Sequence, residues 1–137
     1  MIAAQMTTKG LKNVIESTNQ ATQPPSFIIT KKPGIGVITT LKEMFPDAET
    51  LVIDHEMAKT DLSGDGIILQ LLIRNVEKMI VLDIDAPECV ISAAVGIALK
   101  SHIDDGGRLM IATSGRLTIE SEALKSRMFL INIENMK

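Results

Sequence analysis

The sequence predicts a three-layer α/β domain with a mainly parallel, five-stranded sheet and helices on both faces. Three observations predict it. Short apolar runs alternate with helix-compatible segments between residues 27 and 134. Those runs ("FIIT", "TLVIDHE", "MIVLDID", "RLMIATS", "MFLINIE") are continuously apolar at their centres rather than alternating, as in strands buried on both faces. The 137 residues, 45% apolar and 23% charged, also suffice for one domain with one core.

The elements follow in order. Residues 1–25 read as an N-terminal helix and linker. In that segment "LKNVIESTN" (11–19) puts Leu11, Val14 and Ile15 on one side of a short helix, and the polar, proline-bearing "QATQPPS" (20–26) is the linker. Residues 26–137 are the α/β core. "FIIT" (27–30) is its first strand, followed by a glycine turn and the helix "VITTLKEMF" (37–45), which Pro46 stops. The second strand is 50–56, and a strongly apolar helix over 61–78 has Asp61, Ser63 and Asp65 as candidate caps. The third strand is 79–85. The segment 87–102 reads as a helix with Pro87 near its first turn, closed by "DDGG" (104–107). The fourth strand is 108–114. A helix over 118–127, capped by Thr118 or Ser121, leads into the fifth strand at 128–134.

Composition narrows the functional classes. The net charge is −3, and the only aromatic residues are three phenylalanines, so stacking platforms for bases are missing and direct nucleic-acid binding is not expected. One cysteine and two histidines leave no basis for a Cys/His zinc site, and no metal site is expected. The start "MIAAQMTTKG" lacks a long apolar stretch of the secretory kind, and no apolar run is long enough to span a bilayer. A cytoplasmic protein without membrane contact is the expectation.

The turn after the first strand is the feature closest to chemistry. In an open parallel sheet ligands bind beyond the carboxyl ends of the strands. A glycine-rich turn there lets backbone N–H groups converge on phosphate oxygens, and the next helix adds its positive amino end. "KKPGIGVI" (31–38) keeps the central "PGIG", with Gly34 and Gly36, of a phosphate loop whose full pattern is G-x-x-x-x-G-K-[ST]. Lys31 stands where the first glycine belongs, Val37 where the lysine belongs and Ile38 where the hydroxyl belongs. Valine can neither neutralise phosphate charge nor donate a hydrogen bond. Thr39 comes one position late, and Lys31 or Lys32 would have to replace the missing charge from the other side. The simpler reading is that the two glycines only permit a tight strand-to-helix turn.

Taken together, these pieces resemble a degenerate P-loop NTPase of the AAA+ and RecA-like group. "MIVLDID" (79–85) looks like a Walker B strand, and the resemblance makes Asp83 the acid that holds the Mg²⁺ shell in working relatives. The catalytic glutamate of AAA+ proteins would fall at Ile84, and Asp85 comes one residue later. "GRLMIATSGRL" (107–117) resembles the strand that carries a polar sensor, which puts Thr113 or Ser114 in that role. "SEALKSRMFLINIE" (121–134) is similar to the stretch ending in an arginine finger in clamp-loader and helicase-loader subunits, with Arg127 as the finger acting on a neighbour's nucleotide. "TLVIDHEMA" (50–58), ending near Glu56, also resembles the second strand of RecA-like and phage nucleotide-binding proteins. No counterpart of the AAA+ helical lid is expected before Lys137.

The resemblance implies a protein without hydrolytic activity. It would be an interaction or regulatory subunit of a DNA replication or recombination ATPase assembly, in a phage or plasmid setting, partnered by a related ATPase or by itself. No cofactor is required by this reading and no catalytic residue is assigned. Gly34, Gly36, Thr39 and Asp83 remain as a vestigial or weak nucleotide site. The alternative is an ATP-binding protein, or a weak ATPase using Mg²⁺, in which the phosphate loop is rearranged.

Overall fold

The computed structural model describes residues 4–32, 36–59 and 79–135. Six strands form one wholly parallel sheet: β1 (Ala4–Thr7), β2 (Ser26–Thr30), β3 (Glu49–Ile53), β4 (Met79–Ile84), β6 (Arg108–Thr113) and β8 (Met128–Asn135). Their spatial order is β1-β8-β2-β6-β4-β3. The α/β class and the parallel sheet agree with the sequence. The count does not, because six strands replace the expected five. The additional one, β1, comes from the segment before residue 26 and runs parallel to β8, with Ala4 beside Ile131.

The helices divide between the two faces. Stepping from β1 to β2 and from β2 to β3 moves one way across the sheet, through α1 (Thr8–Thr18) and α2 (Val37–Met44). The chain then steps back from β3 to β4, β6 and β8. Those connections carry α3 (His55–Lys59), α4 (Ala93–Asp104) and α5 (Glu122–Lys125). Right-handed crossovers taken in opposite directions put their helices on opposite faces. The two cores follow that division. Leu11, Ile15, Val37 and Leu41 pack with Phe27, Ile29, Val81, Met110, Ala112 and Ile131 on one side. Val95, Leu99, Ile103 and Leu124 pack with Ile28, Ile80, Leu82, Ile84 and Ile111 on the other. Alternation along β2, β4, β6 and β8 therefore supplies both cores at once, which is why these strands read as largely apolar runs.

Two expected helices are shorter than the sequence indicates. Residues 87–102 begin not as a helix but as β5 (Glu88–Ile91), and residues 118–127 contain the end of β7 (Arg116–Ile119). These two strands pair in parallel as a separate ribbon, with Glu88 beside Arg116 and Ile91 beside Ile119. α4 starts only at Ala93, where the Ser92 hydroxyl accepts the Val95 N–H at 3.3 Å. α5 is likewise capped by Ser121, whose hydroxyl accepts the Leu124 N–H at 3.1 Å. The segments leading into the two ribbon strands are pressed together. A side chain at Gly115 would overlap the carbonyls of Ala86 and Pro87, and the Arg116 N–H donates to the Pro87 carbonyl at 2.8 Å. α4 closes through Gly106 at φ 101°, as the "DDGG" turn leads one to expect. The expected helix over 61–78 lies outside the described residues.

Candidate functional site

The carboxyl ends of β2, β6 and β4 lie side by side, with β6 between the other two. The outgoing connection of β2 runs towards β3 over one face, whereas that of β6 runs towards β8 over the other. This is the switch point at which open α/β sheets bind ligands. Gly36, Asp83 and the pair Thr113–Ser114 all come to this edge. Gly34 lies outside the described residues.

Gly36 is the N-cap of α2 and has φ 88°, in the left-handed region where a Cβ is disfavoured. Its carbonyl accepts the Thr40 N–H at 3.0 Å and also the Thr40 hydroxyl at 3.1 Å. The glycine is thus required by the turn itself. Val37, the first residue of α2, is fully buried against the sheet in the core that contains Phe27, Ile29 and Ala112. Ile38 is half-buried on the same core, and Thr39 is exposed. The side chain at the lysine position therefore points into the protein, away from any ligand above the edge.

Asp83 sits half-buried beside Ala112 and Val52 in the register of its neighbours. Its carboxyl is raised above the ordinary aspartate value, mainly because burial disfavours the charge. Lys31 and Lys42 oppose that shift and Asp85 adds to it. Among the charges acting on Asp83 that of Lys31, just past the end of β2, is the largest. Ile84, where the resemblance would put a catalytic glutamate, is fully buried with the α4 core. Asp85 is exposed, and its N–H donates to the Ile53 carbonyl at 2.8 Å.

The two sensor candidates separate. Thr113 is buried and follows Leu109 and Ile111 on the α4 side of the sheet, whereas Asp83 follows Val81 on the α2 side. The Thr113 hydroxyl accepts the Gly115 N–H at 3.2 Å and is committed to its own turn. Ser114 is half-buried and lines a hollow of about 270 Å³ together with Thr30, Lys31, Lys32, Gly115 and Asn132. The sequence reading missed Asn132, because nothing local marks it. It reaches the edge through the pairing of β8 with β2, where Thr30 lies beside it.

Arg127 is at the other end of the sheet, just before β8 begins. Its Nε donates to an Asp104 oxygen at 3.0 Å, and Lys100 pairs with the same carboxylate at 3.0 Å. These hydrogen bonds hold the Asp104 carboxyl below its usual range. Arg127 and Asp83 therefore do not meet within one chain. No group of three or more potential metal-ligating side chains occurs among the described residues.

No family model, curated protein or solved structure matches the chain.

Proposed function

We propose that this chain keeps the scaffold of a P-loop NTPase without its hydrolytic chemistry and serves as an interaction or regulatory subunit, of a DNA replication or recombination ATPase assembly in the cytoplasm. The burial of Val37 carries the reading. Phosphoryl transfer needs a cation at that helix start and, in AAA+ relatives, a carboxylate after the Walker B acid. Here both positions are fully buried aliphatic residues, Val37 and Ile84, one in each core. Restoring either charge would mean placing it in the core rather than on a ligand.

The location of Arg127 supports a role towards a neighbour. At the amino end of β8 it lies across the sheet from its own glycine turn, so any nucleotide it touched would belong to another subunit. Asp104 would first have to release it. No described helix is long and apolar enough to cross a membrane.

Affinity isolation of the tagged chain from its source cell, followed by an ATPase assay of what is isolated, tests this reading. The expected result is an assembly containing a P-loop ATPase whose rate falls when the tagged chain carries Arg127→Ala. Recovery of a lone monomer that hydrolyses ATP by itself would defeat it.

A further inference from the structure

We propose that the hollow between the carboxyl ends of β2, β6 and β8 binds a phosphoryl group through Lys31, Lys32 and Asn132, beside the glycine turn rather than within it. The inference deepens the scaffold reading above and rests on it for the class of ligand. Its own support is the chemistry of the lining. In a chain of net charge −3, the lining of the hollow includes two lysines and, among the described residues, no carboxylate. Thr30 donates its hydroxyl hydrogen to the Asn132 Oδ1 at 3.0 Å, which occupies the amide oxygen and leaves the amide NH₂ to donate elsewhere. The Thr113 hydroxyl is taken up by Gly115, while Ser114 adds a further hydroxyl at the rim. The side-chain donors lining the hollow are thus two ammonium groups, of which that of Lys31 also acts on the Asp83 carboxyl, together with an amide NH₂ and a hydroxyl. Such a donor set recognises an anion rich in acceptor oxygens.

Position and size point the same way. The Lys31 N–H donates to the Thr113 carbonyl at 3.0 Å, which ties the backbone below the ammonium to the neighbouring strand. Lys31 is half-buried, so its charge acts in a less screened setting than a free surface lysine. A volume of about 270 Å³ lies just below the usual range for whole drug-sized ligands, which suits the phosphate portion of a ligand. The geometry also explains how an anion could be held although Val37 is buried: the charge comes from the residues before the turn, not from the helix after it.

Calorimetric titration with inorganic pyrophosphate and, separately, with ATP·Mg²⁺ tests the assignment on the full chain. Saturable binding of pyrophosphate is expected. Lys31→Gln and Lys32→Gln should each weaken it about tenfold, Asn132→Leu should weaken it, and raised salt should weaken it in the parent chain. Lys125→Gln, a matched loss of charge on α5 at the other end of the sheet, should leave it unchanged. Equal affinities for the two probes would identify a site that reads phosphate alone, and tighter ATP binding one that reads a nucleotide. Urea midpoints of the two lysine variants should match the parent, because neither side chain belongs to the core. No saturable binding of either probe, or binding that survives Lys31→Gln with Lys32→Gln, would overturn the inference. Release of phosphate from ATP would instead overturn the non-hydrolytic reading while leaving the lysine assignment standing.

Discussion

Replacing Val37 by alanine should destabilise the fold by about 2–3 kcal/mol, which is large for a residue at the supposed rim of a ligand site. The side chain is fully buried in a core shared with Leu41, one turn on, and with sheet residues of β2, β4, β6 and β8. Removing two methyl groups loses transfer free energy of about 0.8 kcal/mol each. The packed strands below cannot collapse into the gap, so a cavity term of roughly 1 kcal/mol adds to that. Val37→Lys, which restores the motif lysine, should cost more. It must either bury an ammonium or drag the start of α2 off the sheet. Urea unfolding followed by circular dichroism measures both. The reasoning fails if Val37→Ala changes stability by less than about 0.5 kcal/mol. It also fails if Val37→Lys is as stable as the parent and gains ATP turnover, since the position would then open onto the ligand rather than the core.

Other outcomes follow from the same structure. Asp83→Asn should stabilise the chain at neutral pH: the native carboxyl is raised above its unfolded value, so the unfolded state loses its proton first, and stability falls as pH rises from that unfolded pKa to the native one. The parent should show this decline in pH-dependent urea melts and the variant should lack it. Gly36→Ala should cost about 1 kcal/mol although its Cβ would meet nothing within 4 Å, because the cost is the left-handed backbone at φ 88°. Gly115→Ala has the opposite cause. Its Cβ would press on the carbonyls of Ala86 and Pro87, which should cost about 3 kcal/mol and shift the amide resonances of β5 and β7. Arg127→Ala should leave the urea midpoint of the isolated chain nearly unchanged, because its ion pair with Asp104 is solvent-exposed.

The main sheet was legible because its strands bury both faces, and that leaves an unbroken apolar signature in "FIIT", "MIVLDID" and "RLMIATS". β1 leaves no such mark. "AQMT" is short and half polar, and it becomes a strand only through its pairing with β8, over a hundred residues away. The β5–β7 ribbon was hidden differently. "ECVI" and "RLTI" each bury alternate residues, a period of two, but each abuts a helical segment that absorbed it in the reading. At the site, the glycine turn and its missing lysine were evident from spacing. The direction of Val37 into the core was not, since spacing gives position along a helix and not which neighbours it meets. Thr113 and Asp83 were read as parts of one site, but register places their side chains on opposite faces of the sheet. Asn132 became visible only when β8 was laid beside β2. Phe129, read as part of an apolar run, is 60% exposed next to Phe27, a consequence of its place at the start of β8 that sequence alone does not reveal.

The most direct measurement is a single-turnover assay with the chain in excess over radiolabelled ATP and with Mg²⁺ present. With both Val37 and Ile84 sealed in the cores, the nucleotide should be recovered intact at the rate of the protein-free blank. Stoichiometric release of labelled phosphate by the parent chain, lost in Asp83→Ala, would show that another group completes the chemistry and that the account is wrong.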